Sequence, residues 1–458
     1  MINLHHKTTR NADREAVAWE KGCDGAGAAV RSVSSRSDRW RPSWPAPDTR
    51  RTAPGLSLEA AVRQAVAWHP NVVAAAATLD ARDADVDVAR TGYLPQVSAG
   101  IGTGYDNRLG SNWRPRPQVS ASQMLYDFGK VRSAVDYAQA GTRVGRADLL
   151  LAIDGLIHDT GYAIVELQRN AALRDIAEEQ LARIREISGL VADRVAKGAS
   201  TRSDGLQAES RVAAAKATLA QIDAEQRRWT SNLAFLLGEE RAKASVSADM
   251  PDWLMRSCAT GLADWNAVPA VMRADAQREQ AAAQLRRSRA DRLPTVSLAG
   301  DAAADIGSPF SDRSAYSFGL SVSSNIFGGN ATRARVRSAD YSLAAADAAS
   351  RQARNEASQR LAEARQQIGS LTRLLDTLNL READMAETGQ LYRAQYLEMG
   401  TRTLVDLLNA EQELHQARFD AVNTEHDLRR LQLDCLYYSG RSRDAFGLTG
   451  TRLRGVTL

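Results

Sequence analysis

The chain has 458 residues, 59 basic and 55 acidic side chains for a net charge of +4, and a mean hydropathy of −0.38. The charges interleave along helical stretches, which excludes the basic block of a nucleic-acid footprint, and no apolar run reaches the about 18 residues of a membrane-spanning helix. Abundant Ala, Arg, Leu, Glu and Gln, with 6% aromatics and 12 prolines, predict that helix dominates.

Residues 1–56 are basic, rich in Arg, Ser, Pro and Trp between Arg31 and Arg51, and are predicted as a disordered segment. No apolar core of signal-peptide length follows the basic start, and Cys23 in EKGC lacks the small apolar neighbours of a lipid-attachment box. Ser57 is placed to cap a helix from Leu58 to Arg90 that Gly92 and Pro95 end. In VSAGIGTGY, Val97, Ala99, Ile101, Thr103 and Tyr105 alternate with Ser98, Gly100, Gly102 and Gly104, predicting a strand at 95–105. After the loop DNRLGSNWRPR a second strand is expected at 117–128, then a proline-free helix from about Lys130 to Gly198 and a returning helix to Gly238. Residues 239–267 read as a linker with a short helix.

The plan then repeats: a helix from Val268 to about Arg289, strands at 294–305 and 315–327, a long helix from about Ala331 to Gly400 and a returning one to Gly440. In the last strand Tyr316, Phe318, Leu320, Val322 and Ile326 face one way, and Ser317, Gly319, Ser321, Ser323 and Asn325 face the other. A second face of Ser, Gly and Asn, almost without charge, suits a tilted transmembrane strand of about 11 residues. Leu361, Ile368 and Leu375, joined by Ala364, Leu371, Leu378, Met385 and Tyr392, keep a seven-residue period. So do Leu407, Leu414, Ala421, Leu428 and Cys435, which predicts an antiparallel coiled-coil hairpin about Gly400.

The repetition is literal in places. GASTRSDGLQAE (Gly198 to Glu209) recurs 202 positions on as GTRTLVDLLNAE (Gly400 to Glu411) with six identities in twelve, and LPQVS at Leu94 recurs as LPTVS at Leu293. The expected domains are therefore 57–238 and 268–440 as two equivalent repeats, 239–267 between them, and 441–458 as a C-terminal tail. Four strands per chain cannot close a barrel, and open strand edges are not tolerated in lipid, so the chain must associate. Three copies give twelve strands. The fold class expected is mostly α with membrane β: a trimeric 12-stranded β-barrel continued by a long α-helical coiled-coil tunnel.

The paired LPxVS strands, LYDFG (Leu125 to Gly129), IFGG (Ile326 to Gly329) and GTRTLVDLLNAEQEL (Gly400 to Leu414) resemble the TolC family of outer-membrane channel-tunnels over about residues 56 to 440. The resemblance implies a Gram-negative outer-membrane homotrimer extending into the periplasm, docked on a periplasmic adaptor and an inner-membrane transporter. It also implies a closed tip ringed by acidic groups. The gate residues carried over are Arg402, Asp406, Asn409 and Tyr396. Asp406 lies one turn from Arg402, within pairing reach. Asn409 stands where TolC has a second aspartate, which weakens the ring, and Tyr396 precedes Gly400 by four rather than three. Asp204, the repeat equivalent of Asp406, is expected to be plain. Gly198, Thr201, Gly400, Thr401, Thr403 and Leu404 are expected at the adaptor-contacting tips, and Tyr316, Phe318, Leu320 and Val322 against outer-membrane lipid.

No HExxH, GxxxxGK[ST] or GxSxG is present, so no enzyme, cofactor or metal site is expected. His415 and Glu411 read as a surface ion pair. Cys23, Cys258 and Cys435 form no CxxC and indicate no disulfide framework. Protein export by type I secretion through an ABC transporter, with cargo such as a haemolysin or cyclolysin, is the leading expectation. Efflux of drugs or metals and a soluble coiled-coil scaffold are the alternatives. The missing signal favours the scaffold, unless the N-terminus omits or replaces the true signal.

Overall fold

The computed structural model describes residues 55–104, 114–240, 246–259, 264–304, 315–324, 330–453 and 455–457. The disorder expected before Gly55 and the IFGG segment fall outside these residues. Leu56, expected within that disorder, instead pairs with Val246 in an isolated parallel bridge.

Ser57 caps α1 (Leu58–Trp68), its side chain accepting from the Ala60 N–H at 3.2 Å. The single helix expected over 58–90 is two helices. His69 turns extended and Pro70 opens α2 (Pro70–Arg90), because proline lacks the N–H of a helix interior and fits only a first turn. Then come β1 (Gln96–Gly104), β2 (Arg114–Tyr126), α3 (Lys130–Ala196), α4 (Arg202–Leu237) and the one-turn α5 (Asp252–Met255). The order repeats in α6 (Pro269–Ala290), β3 (Thr295–Ala303), β4 (Ala315–Ser323), α7 (Ala331–Ala394) and α8 (Leu404–Tyr438). A short α9 (Ser442–Ala445) and strands β5 (Arg452–Leu453) and β6 (Val456–Thr457) follow. With 67 and 64 residues, α3 and α7 each run roughly 100 Å.

The four long strands make one antiparallel sheet in the order β1-β2-β3-β4, with β2 and β3 joining the two halves. Register places Val97, Ala99 and Ile101 beside Ala121, Val119 and Pro117. It also places Val296, Leu298, Gly300 and Ala302 beside Val322, Leu320, Phe318 and Tyr316. One face is thus largely apolar from edge to edge, with Gln123 of β2 beside Leu298 as a polar exception. The other carries serines, with Ser98 and Ser120 hydrogen-bonded at 2.7 Å and Ser297 and Ser321 at 2.8 Å, at matching places of the duplication. Tyr316 and Phe318 are each 82% exposed, so none of the described residues covers the apolar face at β4. β2 starts three residues before the expected Pro117. Pro115 and Pro117 lie at the fraying end of the β2–β3 ladder, beyond its last paired residue Gln118, where among the described residues only the Pro117 carbonyl still accepts from the Ala304 N–H at 3.1 Å, and proline is tolerated at such an end.

Helices continue the strands in the same order, α2 on α3, α3 on α6 and α6 on α7, while α4 returns along α3 and α8 along α7. The heptad positions Leu407, Leu414, Ala421, Leu428 and Cys435 of α8 are all buried, as are Leu361, Ala364 and Leu378 of α7. The broadest core lies midway along α3, where Ile153, Ile157 and Ile164 meet Leu58 of α1, Leu233 of α4, Leu254 of α5 and Leu433 of α8. Phe446 and Leu448 belong to this core and Leu453 and Val456 pack against it, so the segment expected as a C-terminal tail at 441–458 is anchored at these residues. Arg443 donates to the Ala267 carbonyl at 3.0 Å and lies 3.6 Å from Asp154, whose carboxyl burial pushes up to about 7 against the pull of Arg443.

Two expectations about single side chains are corrected. Cys258 and Cys435 form a disulfide with Cα atoms 5.4 Å apart across 177 residues. The linker segment lies on α8, where the Ser257 hydroxyl donates to the Gln432 carbonyl at 2.9 Å, a juxtaposition that cysteine spacing does not encode. Glu411 and His415 are not on the surface but 2% and 0% exposed, with Nε2 and Oε2 3.7 Å apart. Here α8 is enclosed by α3, whose Arg183 approaches Glu411 at 3.9 Å, and by α7, whose buried Gly389 lies beside the carboxylate. Burial raises the Glu411 carboxyl and lowers the His415 imidazole to about 4.

A second polar clamp joins α3 to α8. The Asp434 carboxylate bonds His158 Nε2 at 2.8 Å and accepts from the Tyr162 hydroxyl at 2.7 Å. Burial alone would lower the His158 pKa, but hydrogen bonds with Asp159 and Asp434 outweigh it and push it up to about 9. A histidine raised from 6.5 contributes stability that is complete below pH 6.5 and lost as pH rises through about 9. Unfolding followed across that window should show a loss of up to about 3 kcal/mol. His158→Gln should flatten it, and an unchanged slope in that variant would refute the clamp.

Candidate functional site at the helix tips

Far from the sheet, each long helix turns back through a glycine at positive φ: Gly198 at +74° after α3 and Gly400 at +63° after α7. A side chain is strained there, so both take the helix-ending role their position predicts. The Ala199 N–H donates to the Arg194 carbonyl at 2.8 Å, and the Thr401 N–H to the Gln395 carbonyl at 3.2 Å.

The next helix begins with the same device in both halves. Thr403 Oγ1 accepts from the Asp406 N–H at 3.2 Å, and Asp406 Oδ2 accepts from the Thr403 N–H at 3.2 Å and its hydroxyl at 2.9 Å. Thr201 and Asp204 reproduce this with bonds of 3.2 and 3.0 Å. Each is a capping box with Asp in the place usual for Glu or Gln. Asp204 is therefore not plain, since it does the same structural work as Asp406. The bonds from Thr403 hold the Asp406 carboxyl below its ordinary range, with a smaller contribution from the Arg402 charge.

The expected pairing of Arg402 with Asp406 is not formed within the chain, because the cap occupies the carboxylate. Arg402 lays its guanidinium 4.4 Å over the Tyr392 ring and donates from Nε to Gln395 Oε1 at 3.1 Å. Residues Gln395–Met399 form a π turn. Such a turn accommodates an extra residue, which absorbs the four-residue spacing from Tyr396 to Gly400. Tyr396 is buried among Ile187 and Val191 of α3, Ala208 of α4 and Leu404 and Leu407 of α8, with the Arg194 guanidinium 5.1 Å from its ring centre. Leu404, expected at the adaptor contact, lies inside this cluster because it is the first residue of α8 and points between the hairpins. Gly198, Thr201, Gly400, Thr401 and Thr403 are exposed.

Ion pairs fasten the α7–α8 hairpin to the α3–α4 hairpin. Arg393 of α7 engages both carboxylate oxygens of Glu186 on α3. Arg418 of α8 reaches Glu179 on α3 and Glu382 on α7, each at 2.9 Å. Arg211 of α4 donates to Asn409 Oδ1 at 3.3 Å and also bonds Gln412. Sequence reasoning missed Arg393 and Arg418, although arginines on the same α7 and α8 faces as the buried heptad residues were a usable signal. Among the described residues no three metal-ligating side chains converge, and no helix is long and apolar enough to cross a membrane.

The model of the outer membrane efflux protein family matches residues 61–239 and 266–433, one segment in each half. The chain belongs to the outer membrane efflux protein family. It is a protein of the Gram-negative outer membrane that extends into the periplasm. The outer membrane efflux protein BepC of Brucella suis is 24% identical over 382 residues, 80% of this chain and 82% of that one. Protein CyaE of Bordetella pertussis is 29% identical over 269 residues, 56% of each chain. Among solved structures, the outer-membrane channel OprN matches with a TM-score of 0.73 at 24% identity, over 87% of this chain and 98% of that one. VceC of Vibrio cholerae matches with 0.74 at 18%, over 84% and 96%. At these identities the likeness establishes the fold, a channel-tunnel protomer with paired strands and long helical hairpins, as the TolC resemblance implies.

Proposed function

We propose that the chain is the outer-membrane conduit of a tripartite type I secretion system. In this reading it passes a protein toxin or adhesin from an inner-membrane ABC transporter and its periplasmic adaptor to the outside. The sheet carries the proposal: four strands, one face largely apolar, the other rich in serine, and both edges, β1 and β4, unpaired among the described residues. Unpaired edges are costly in lipid and four strands cannot close, whereas three copies supply twelve. Tyr316, Phe318, Leu320 and Val322 then meet lipid, the serines line the lumen, and the helices form a tunnel. Arg402, Asp406, Asn409 and Tyr396 belong to the gate at its far end, and the exposed threonines and glycines of the tips meet the adaptor. The protein has no catalytic role, and the transporter supplies the energy. The GTRTLVD run supports protein cargo. The name of BepC favours the second reading, efflux of small compounds or metals.

Extracted from outer membranes in detergent, the protein is expected at three times its 49.7 kDa chain mass, about 150 kDa; a soluble monomer or dimer sinks the conduit. Deleting the gene should strand a large secreted protein in the cell and leave drug and metal tolerance unchanged. The opposite result moves the assignment to efflux.

A further inference from the structure

We propose that a groove where the sheet meets the helices binds the phosphate headgroup of an anionic glycerophospholipid in the periplasmic leaflet of the outer membrane. The groove has a volume of about 560 Å³ and is lined by Phe128, Arg132, Asp136, Arg286, Arg289 and Leu293. It lies between α3 and α6, just past β2 and β3.

Stacking identifies which side of the wall it opens on. Tyr126 is paired with Val296 on the apolar face of the sheet, and the Phe128 ring packs edge-on against Tyr126 with centroids 4.6 Å apart. Phe128 and Leu293, 42% and 43% exposed, therefore continue the apolar face into the groove. Beyond them the lining is cationic, three guanidinium groups against one carboxylate. Asp136 pairs with Arg286 at 3.2 Å, while Arg289 reaches Asp340 only at 3.9 Å. Arg132 is exposed and makes no ion pair among the described residues.

An apolar lip on the membrane side and a cluster of guanidinium forks beyond it match the two ends of one molecule. Guanidinium groups bind phosphate oxygens in pairs, and acyl chains would run along the sheet. A free phosphate or an acidic segment of protein would satisfy only the cationic end. Position favours the lipid as well. A neighbouring copy joins at the β1 and α2 edge or the β4 and α7 edge, so a groove between the two middle helices stays open after assembly.

The inference rests on the outer-membrane seat of the sheet, so each variant is first checked for its membrane fraction and native mass. The full-length protein, stripped of lipid in detergent, is then offered equal amounts of dioleoyl-phosphatidylglycerol and dioleoyl-phosphatidylcholine and weighed by native mass spectrometry. Phosphatidylglycerol adducts should predominate. They should fall by at least about tenfold in the Arg132→Gln/Arg286→Gln/Arg289→Gln variant. Asp136→Asn should retain as much or more, and the distant set Arg174→Gln/Arg227→Gln/Arg228→Gln should match the parent. If the triple variant does not assemble, Arg132→Gln, which breaks no ion pair, carries the test with a several-fold loss. Undiminished retention in an assembled groove variant, equal loss in the distant set, or displacement of the lipid by millimolar inorganic phosphate would each overturn the proposal. An assembled protein that shows no lipid preference rejects the groove and leaves the conduit untouched.

Discussion

Phe318→Arg is expected to remove the protein from the outer membrane. Phe318 lies near the middle of β4, 82% exposed, on the largely apolar face of the sheet, and its partner on β3 is Gly300, which has no side chain to shield a charge. An arginine facing lipid near the midplane costs about 2–4 kcal/mol, and assembly of three copies incurs it three times. Ser317→Arg is the matched control. It lies one residue away on the opposite face, beside Asp301 across the β3–β4 pair, where a cation gains a partner. The readout is the amount of assembled trimer in outer-membrane fractions. Equal depletion by the two variants would mean that the faces are misassigned.

Removing Arg393 and Arg418 together, each to Ala, is expected to raise single-channel conductance several-fold. These two side chains carry the arginine links from the α7–α8 hairpin to Glu186 and Glu179 of α3. Both glutamates are held below their ordinary range, Glu186 by its bonds to Arg393, and Glu179 by Arg418 and Arg183 against a desolvation that pushes the other way. Without these links the tip relies on the apolar cluster around Tyr396, on the Arg211 contacts and on the longer approach of Arg183 to Glu411 at 3.9 Å. Arg174→Ala serves as control, because among the described residues Arg174 pairs with Glu178 and Asp223, both within the α3–α4 hairpin. Because the links are exposed, raising the salt concentration should move the parent toward the variant. Identical conductance at low salt would show that these pairs do not hold the tip closed.

The elements that were legible in the sequence are those whose signal is local. Alternation along 316–322, the heptads of α7 and α8, and the glycines at 198 and 400 each state their own geometry within a few residues. The β2–β3 pairing, the Cys258–Cys435 bond and the enclosure of Glu411 and His415 depend on segments that meet from far apart in the chain, and no short window contains them. The tip was half legible. Thr403 and Asp406 form a capping box that can be read three residues apart, yet the charge of Asp406 drew attention to Arg402 instead. The π turn at Gln395–Met399 was visible only as an unexplained extra residue before Gly400.

The disulfide at Cys435 bears on how the tip can move. It fastens α8 to the segment around α5 at the level where residues of α7 such as Leu361 and Ala364 pack against it. From that anchor to the first turn of α8 at Leu404 the helix runs roughly 47 Å. Pinned at one end, α8 is a lever whose fulcrum is covalent, and a swing of about 10° carries its free end about 8 Å. On the proposed reading of the tip as a gate, small rotations at mid-tunnel would become wide excursions at the mouth once the contacts of Leu404 and Arg418 give way, while the wall between fulcrum and membrane stays in register.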